Sequence, residues 1–321
     1  MDFTDTIKET QSLILKDKAE WKTRYQGYAE KILGNNDVIK SLRSKFREFS
    51  TLYCYISTSK AIVAKKNLSL DVRYMGQSVA TLKINQSNVT ISTEGEKTKN
   101  KRDFDCDIEL NNTIWNDPEV STFRKYFKNR PKIRNSGDNK NNKEHNIENL
   151  LLSEFSKRNS NNKQLLYIQP VKICDIRFSM PTPLKASNHS TLDYSGPGGG
   201  GIDILARTGT GLKSALTVIE VKDENKPNEP PKDAIKQAIQ YAVFIRELLR
   251  SDCGEDWYKI FGYTRKIPEK LTIRVACAMP DDIVDKSFVL NKYLIGNDVI
   301  ECHYIYFKYD GENLSNFQSS L

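Results

Sequence analysis

The chain has 321 residues, of which 38% are hydrophobic and 28% charged, and 49 basic against 41 acidic side chains give it a net charge of +8. This composition excludes a disordered tail, and the length is sufficient for two domains. The first residues are acidic and polar, so we expect no signal peptide, and no apolar run approaches the ~20 residues that span a bilayer. The positive charge favours an anionic partner such as nucleic acid.

The six cysteines are scattered along the chain without a CxxC pair. This spacing argues against a zinc ribbon and against a disulfide framework, and it is typical of proteins in a reducing compartment. We therefore expect a cytoplasmic protein that makes no contact with a membrane.

Residues 1–128 are predicted to form an N-terminal domain of two helices and an antiparallel sheet. Apolar residues recur at helical spacing between Thr4 and Leu33, and the polar cluster Gly34–Asp37 ends this helix and caps a second one. From Tyr53 the pattern alternates, and the predicted strands are Tyr53–Ala64, Leu68–Tyr74, Ser78–Ile84, Asn88–Ser92 and Ile108–Leu110. A short basic helix is predicted at Thr122–Phe127. The aromatic side chains of the first two helices could stack on bases, but core packing explains them better.

We expect this domain to act as a sensor, as a specificity module or as an oligomerisation element, and a homo-oligomer could form through it. Residues 129–142 are polar and basic, which predicts a linker. Residues 143–321 alternate between helical and strand patterns, which predicts an α/β domain, so that the whole chain is of the α+β class.

Within this second domain the pattern predicts helices at Glu144–Arg158 and from Pro231 to about Arg250. The predicted strands, besides the two described next, are Gln164–Cys174, Leu271–Met279 and Glu301–Tyr309. The stretch Asp175–Ser195 contains prolines and should be irregular, and Asp281 or Asp282 should cap a further helix.

The most informative stretch lies between Gly196 and Tyr241. Asp203 stands at the start of one predicted strand, a turn at Gly209–Gly211 forms a hairpin, and Glu220 and Lys222 leave one face of the second strand. The neighbouring residues of that strand are apolar on both faces, so a Glu and a Lys there would be costly on a dry face without partners. They are explained if that face opens onto a site that holds a cation. In the helix that follows, Gln237 and Tyr241 are four residues apart and share a face.

These residues resemble the D…(D/E)xK and QxxxY elements of the PD-(D/E)xK nuclease superfamily. The resemblance in architecture extends from about Glu144 to the C-terminus. The resemblance in chemistry depends only on Asp203, on the segment Glu220-Val221-Lys222 and on Gln237 and Tyr241. It implies a restriction-endonuclease-like fold, in which helices flank a mixed sheet. The chain departs from the family pattern at Ile202, which stands where the family has proline.

The resemblance also implies a role for each matching residue. Asp203, Glu220 and the backbone carbonyl of Val221 would hold Mg²⁺, for which Mn²⁺ could substitute. Lys222 would orient or deprotonate the attacking water, or stabilise the charge of the transition state. Gln237 and Tyr241 are expected to position the lysine, the water or a phosphate oxygen.

A further acidic ligand in this superfamily often comes from the helix that precedes the first core strand. Glu148 is our candidate for it, ahead of Glu144 and Glu154. Lys232 and Lys236, near the start of the later helix, and Arg207 are candidates for contacts with DNA phosphates. The glycines at positions 196 and 198–201 would let the backbone pass close to DNA or to the metal.

The expected activity is therefore metal-dependent hydrolysis of DNA, with the protein acting as an endonuclease in a role such as restriction or antiviral defence. RNA stays open as a substrate beside DNA. The alternative is a catalytically inactive nuclease-fold module that binds nucleic acid or a protein partner, although an intact set of Asp203, Glu220 and Lys222 favours the enzyme.

Overall fold

The computed structural model describes the chain except for residues 1, 49–50, 57–66, 75–76, 86, 94–103, 105, 130–139, 157–162, 174–175, 178–179, 188–189 and 227–228. Helices and mixed sheets alternate along it, which confirms the predicted α+β class. The chain divides into two compact units. The first comprises Met1–Gln26, Ile147–Val171 and Ser179–Leu321, and the second comprises Gly27–Asn146 and Lys172–Phe178.

The second unit contains a sheet whose strands follow the order β5-β4-β3-β2-β1-β8-β7. These strands are β1 (Leu52–Ile56), β2 (Leu68–Tyr74), β3 (Gln77–Ile84), β4 (Val89–Ser92), β5 (Thr113–Ile114), β7 (Lys172–Ile173) and β8 (Ile176–Arg177). The helices of this part of the chain are α2 (Lys18–Gly34), which begins in the first unit, α3 (Asn36–Glu48) and α4 (Pro118–Asn129). Along β2 every second side chain is buried, because one face of the sheet covers the core.

The strands predicted from alternation in this unit are confirmed at β2, β3 and β4, and the segment at Ile108–Leu110 is not a strand. Leu110 exchanges hydrogen bonds with Thr93, but one of the two acceptors is the Thr93 hydroxyl, so no ladder forms. The short strand β5 pairs with β4 instead. Of the predicted linker 129–142, residues 130–139 lie outside the described part of the chain.

The first unit contains a mixed sheet with the strand order β14-β15-β13-β12-β11-β6, and β16 pairs with β15. Its strands are β6 (Ile168–Pro170), β11 (Ile204–Thr208), β12 (Ala215–Val221), β13 (Thr272–Pro280), β14 (Lys292–Ile295), β15 (Asp298–Tyr309) and β16 (Leu314–Ser319). The strands β12, β13 and β15 are parallel to one another, and the other pairs are antiparallel. A separate hairpin consists of β9 (Leu184–Ser187) and β10 (Ser190–Tyr194).

Helices cover both faces of this sheet. They are α1 (Thr4–Lys16), α5 (Lys140–Ser156), α6 (Pro231–Leu249) and α7 (Gly254–Ile260), and the boundary between the two units falls within α5. Ile147, Leu151 and Phe155 of α5 pack in one core cluster with Ile204 and Ile219 of the sheet. The helix α6 contacts β12 and β13 and therefore covers the opposite face. None of the described helices is long and apolar enough to cross a membrane.

The single helix predicted at Thr4–Leu33 is two helices, α1 and α2, which separate at Asp17. The indole N–H of Trp21 donates to the backbone carbonyl of Ile14 at 3.0 Å, which satisfies an acceptor that the end of α1 leaves unpaired. Both helix segments pack on α6. Gln11 hydrogen-bonds to Glu247 at 2.9 Å, and the Trp21 ring meets Phe244 edge-on at 5.5 Å.

This packing explains why the two compact units differ from the predicted domains, which were residues 1–128 and residues 143–321. The helix α6 is apolar on nearly all sides, and only one of its faces can lie on the sheet. Residues Met1–Gln26 cover its other face and so belong to the same unit as the C-terminal half of the chain.

Three further expectations for residues 143–321 are wrong. The segment Gln164–Cys174 contains two short strands, β6 and β7, which enter different sheets on either side of Val171. The segment Asp175–Ser195 is not wholly irregular, because it contains the β9–β10 hairpin. No helix starts at Asp281 or Asp282. The next regular element after β13 is the strand β14, and the chain turns from β14 into β15 at Gly296, where φ is +59°.

We expect the Trp21→Ala variant to lose about 3–5 kcal/mol of unfolding free energy, because it removes a fully buried ring that packs on α6. Chemical denaturation would measure the loss. The control is Leu15→Ala, which truncates a side chain that is 41% exposed and should cost less than about 1 kcal/mol. Equal losses in the two variants would contradict this packing of the N-terminal helices.

Candidate metal centre

The β11–β12 hairpin places the two motif carboxylates side by side. In its antiparallel register Ile204 pairs with Ile219, and one further step brings Asp203 opposite Glu220. The backbone N–H of Val221 donates to Asp203 Oδ2 at 2.8 Å, which fixes the Asp203 carboxylate beside the end of β12. The apolar residues and the glycine turn thus fold into a hairpin whose open end carries both acids.

Lys222 follows β12 directly, and its ammonium nitrogen lies 2.7 Å from Glu220 Oε1. Only 10% of the Lys222 side chain and 2% of the Glu220 side chain are exposed. The Lys222 backbone N–H donates to Ala278 O at 2.9 Å, so parallel pairing with β13 holds the lysine in place. Burying two charges is costly unless they are paired, and this contact provides the pairing.

A third acidic side chain comes from α5. Glu148 is buried, and its charge is one of those that raise the pKa of Asp203, so it lies within electrostatic reach of the group. Glu154 is ~9 Å from Glu148 along the helix axis, and Glu144 belongs to the second unit. The assignment of Glu148 as a metal ligand stays a prediction.

The electrostatics of the group make it receptive to a cation. Burial raises the pKa of Asp203 well above its usual value, and the Glu220 carboxylate raises it further. Lys222 acts in the opposite direction, and Glu148 adds to the rise. Carboxylates this close repel one another when they are all ionised, so a bound divalent cation would relieve the repulsion.

Gln237 and Tyr241 face this group from α6. The amide of Gln237 donates to the Tyr241 hydroxyl, and that hydroxyl donates to the carbonyl of Ala186 on β9, both at 3.4 Å. Tyr241 is buried, and its pKa is raised first by burial and then by the charge of Glu220. The phenol is therefore neutral near neutral pH, and its direction is set by the β9–β10 hairpin.

The structure explains the glycines before Asp203 by packing inside the protein, whereas the sequence suggested a close approach to DNA or metal. A Cβ at Gly199 would lie 2.0 Å from the carbonyl oxygen of Thr182, and one at Gly200 would lie 2.5 Å from the Tyr241 hydroxyl. The backbone N–H of Gly200 also donates to Leu184 O at 2.6 Å. These glycines therefore let the chain pass between β9 and Tyr241.

We expect Gly200→Ala to lower the free energy of unfolding by about 1–3 kcal/mol, because the added methyl group would overlap the Tyr241 hydroxyl. Chemical denaturation would measure the change. The control is Gly27→Ala, which should not destabilise the protein, since a Cβ at Gly27 meets nothing within 4 Å. An unchanged free energy of unfolding in Gly200→Ala would mean that the Tyr241 hydroxyl can move without cost.

The remaining candidates lie at different distances from the carboxylates. Within a strand the N–H and C=O of one residue leave the same edge, so the Val221 carbonyl lies on the Asp203 side of β12. Lys232 and Lys236 are exposed at the start of α6. Arg207 shares a face of β11 with Asp203 but lies ~13 Å away along the strand, so the structure does not bring it into the group.

The centre combines the hard oxygen ligands of Asp203 and Glu220 with an ammonium group that is already oriented, and it is drawn from the β11–β12 hairpin and from the residue after β12. Such a set can hold a divalent cation and keep a proton donor beside it. No family model, no curated protein and no solved structure matches this chain.

Proposed function

We propose that the protein is a metal-dependent nuclease that hydrolyses DNA phosphodiester bonds and acts as an endonuclease. One observation carries the proposal: Asp203 and Glu220 lie side by side at the open end of the β11–β12 hairpin, and the Lys222 ammonium lies 2.7 Å from Glu220. An accidental cluster of surface acids would not include a buried glutamate paired to a buried lysine at the end of a central strand.

The donor set fits Mg²⁺, which prefers carboxylate oxygens and retains several waters, and Mn²⁺ accepts the same ligands. Asp203 and Glu220 would hold the ion, the Val221 carbonyl is available on the same side, and Glu148 is the candidate for a further ligand. A metal bound there would lower the pKa of a coordinated water and neutralise charge on the phosphate.

The Lys222 ammonium is a compact positive charge that donates to Glu220 at the edge of the carboxylate group. There it can orient the attacking water or stabilise the negative charge that develops on a phosphoryl oxygen in the transition state. Tyr241 and Gln237 form a neutral pair beside Glu220 and can orient the water or a phosphate oxygen.

DNA is the proposed substrate because the chain carries a net charge of +8 and because lysines are exposed at the start of the helix that carries Gln237 and Tyr241. Lys232 and Lys236 are exposed on the first turns of α6, where the helix N-terminus also favours a phosphate. We place the activity in the cytoplasm, where the cysteines that the structure describes, all of which are free thiols, would stay reduced.

The test is cleavage of supercoiled plasmid, linear duplex and single-stranded DNA with Mg²⁺ or Mn²⁺, beside EDTA and the Glu220→Ala variant. Metal-dependent nicking that is lost in EDTA and in the variant would support the proposal, and the preferred substrate would define the type of nuclease. If nothing is cut while DNA is still bound in a salt-sensitive way, the protein is a nucleic-acid-binding module instead. Equal cutting by Glu220→Ala would place the activity elsewhere.

A further inference from the structure

The arginines of the first unit fall into two groups. Four of those that the structure describes contact a carboxylate: Arg24, Arg246, Arg250 and Arg274. Arg207 and Arg265 contact only neutral groups within the described ranges of the chain. A guanidinium is charged at every physiological pH, so these two leave positive charge uncompensated.

Arg207 is held firmly by neutral acceptors. Its Nη1 donates to the carbonyl of Gly262 at 2.6 Å, and its Nη2 lies 3.4 Å from Gln169 Oε1. The Nε–H of Arg207 is buried and has no hydrogen-bond partner among the described residues. The Arg207 side chain is therefore oriented by neutral groups, which do not compensate its positive charge.

Arg265 is also held by neutral acceptors. It donates to the carbonyls of Leu212 and Ser214 at 3.3 and 3.2 Å, which ties it to the β11–β12 turn. The guanidinium carbons of Arg207 and Arg265 lie 5.9 and 6.0 Å from the centre of the Tyr263 ring. Two oriented cations therefore lie near one tyrosine, whose ring attracts both.

Exposed lysines add to this charge. Lys213 lies on the β11–β12 turn beside Leu212, which is 87% exposed, and Lys266 is the neighbour of Arg265 in sequence. The nearby Glu255 already accepts the backbone N–H of Ile267 at 3.2 Å. We define the basic corner as Arg207, Lys213, Arg265 and Lys266.

We propose that the basic corner binds the phosphate backbone of duplex DNA, at a place separate from the carboxylate centre. This inference rests on the proposed function, since it takes the DNA substrate to be the polyanion. Arg207 lies ~13 Å from Asp203 along β11, which corresponds to about four base pairs at a rise of 3.4 Å each. The corner would therefore hold the duplex several base pairs from the bond that is cut.

The chemistry of the corner favours phosphate over an acidic protein. Guanidinium groups match the oxygens of a phosphate with two parallel hydrogen bonds, and contacts to phosphates need no apolar centre. A protein interface of useful affinity needs buried apolar anchors, and Leu212 is the one large exposed apolar side chain on this turn.

The test is DNA binding in EDTA, where no metal-dependent cleavage occurs, with a fluorescent duplex and a series of NaCl concentrations. We compare the wild type with Lys213→Gln/Lys266→Gln, which changes two exposed side chains. The matched control is Lys16→Gln/Lys18→Gln, which removes the same charge from exposed positions at α1 and α2. We expect the slope of log K against log salt to become shallower by about 2 in the first variant and to be unchanged in the control.

A slope in Lys213→Gln/Lys266→Gln equal to that of the wild type would overturn the proposal. A polyglutamate peptide that competes as well as a duplex of equal charge would also overturn it, in favour of an acidic protein partner. Binding is measured without metal, so the two proposals can fail separately. A shallower salt slope in Lys213→Gln/Lys266→Gln, in a protein that never cuts DNA, would support DNA binding by the basic corner and refute the nuclease. DNA cleavage by the wild type, together with an unchanged salt slope in the variant, would support the nuclease and refute DNA binding by the basic corner.

Discussion

Replacing Lys222 with alanine is expected to slow DNA cleavage by about 10² to 10⁴-fold, the usual loss when a positioned proton donor or charge stabiliser is removed. The same variant should bind Mg²⁺ or Mn²⁺ at least as tightly as the wild type. The ammonium that now neutralises Glu220 would be gone, and the carboxylates would attract the ion more strongly. Single-turnover cleavage and calorimetric metal titration would measure the two effects separately.

The matched control is Lys226→Ala. Lys226 stands four residues further along, it is largely exposed, and it contacts Glu224 at 2.5 Å, outside the carboxylate group. Its replacement should leave the cleavage rate within about twofold of the wild type, as expected for a surface substitution. A Lys222→Ala protein that keeps the wild-type rate, or one that loses both metal binding and its melting transition, would contradict the assigned role.

Asp203→Asn should abolish cleavage and yet stabilise the metal-free protein at neutral pH. The asparagine oxygen can still accept the N–H of Val221, while the charge that the Glu220 carboxylate repels is removed. We expect the melting temperature in EDTA to rise by a few degrees, which corresponds to roughly 1 kcal/mol. Adding Mg²⁺ should stabilise the wild type and have a much smaller effect on the variant.

The stability of the metal-free protein should depend on pH because of the same Asp203 carboxylate. Folding raises the pKa of Asp203 above its ordinary value of 3.8, so the folded protein binds more protons than the unfolded chain between the two values. The contribution of Asp203 to stability in the absence of metal therefore falls as the pH rises through that range, and Asp203→Asn should lack this fall. Asp193→Asn, at an exposed position on β10, is the control. A variant that melts below the wild type at every pH would refute the idea of repulsion.

The local parts of the centre were predictable from the sequence. A glycine turn between two apolar segments determines a hairpin, and the spacing of Asp203 and Glu220 around it gives the register that places them side by side. Gln237 and Tyr241 follow from helical spacing in the same way. In each case the relevant neighbours are close in sequence, so periodicity carries the information.

The parts that failed depend on contacts between distant segments. The break at Asp17 depends on a hydrogen bond from Trp21 and on the packing of both helices on α6. Helical periodicity does not reveal the break, because it is the same before and after it. The division of Gln164–Cys174 into two strands depends in the same way on the sheet that each strand joins.

The packing of the N-terminal helices on α6 sets the order in which the chain can fold during synthesis. Gln11 and Glu247, which hydrogen-bond to each other, are 236 residues apart, so the first helices leave the ribosome long before their partner exists. The unit that carries the carboxylates cannot close until α6 and the strands after it have emerged. Incomplete chains would then lack the assembled carboxylate centre, so any activity that depends on this centre would appear only after synthesis is finished.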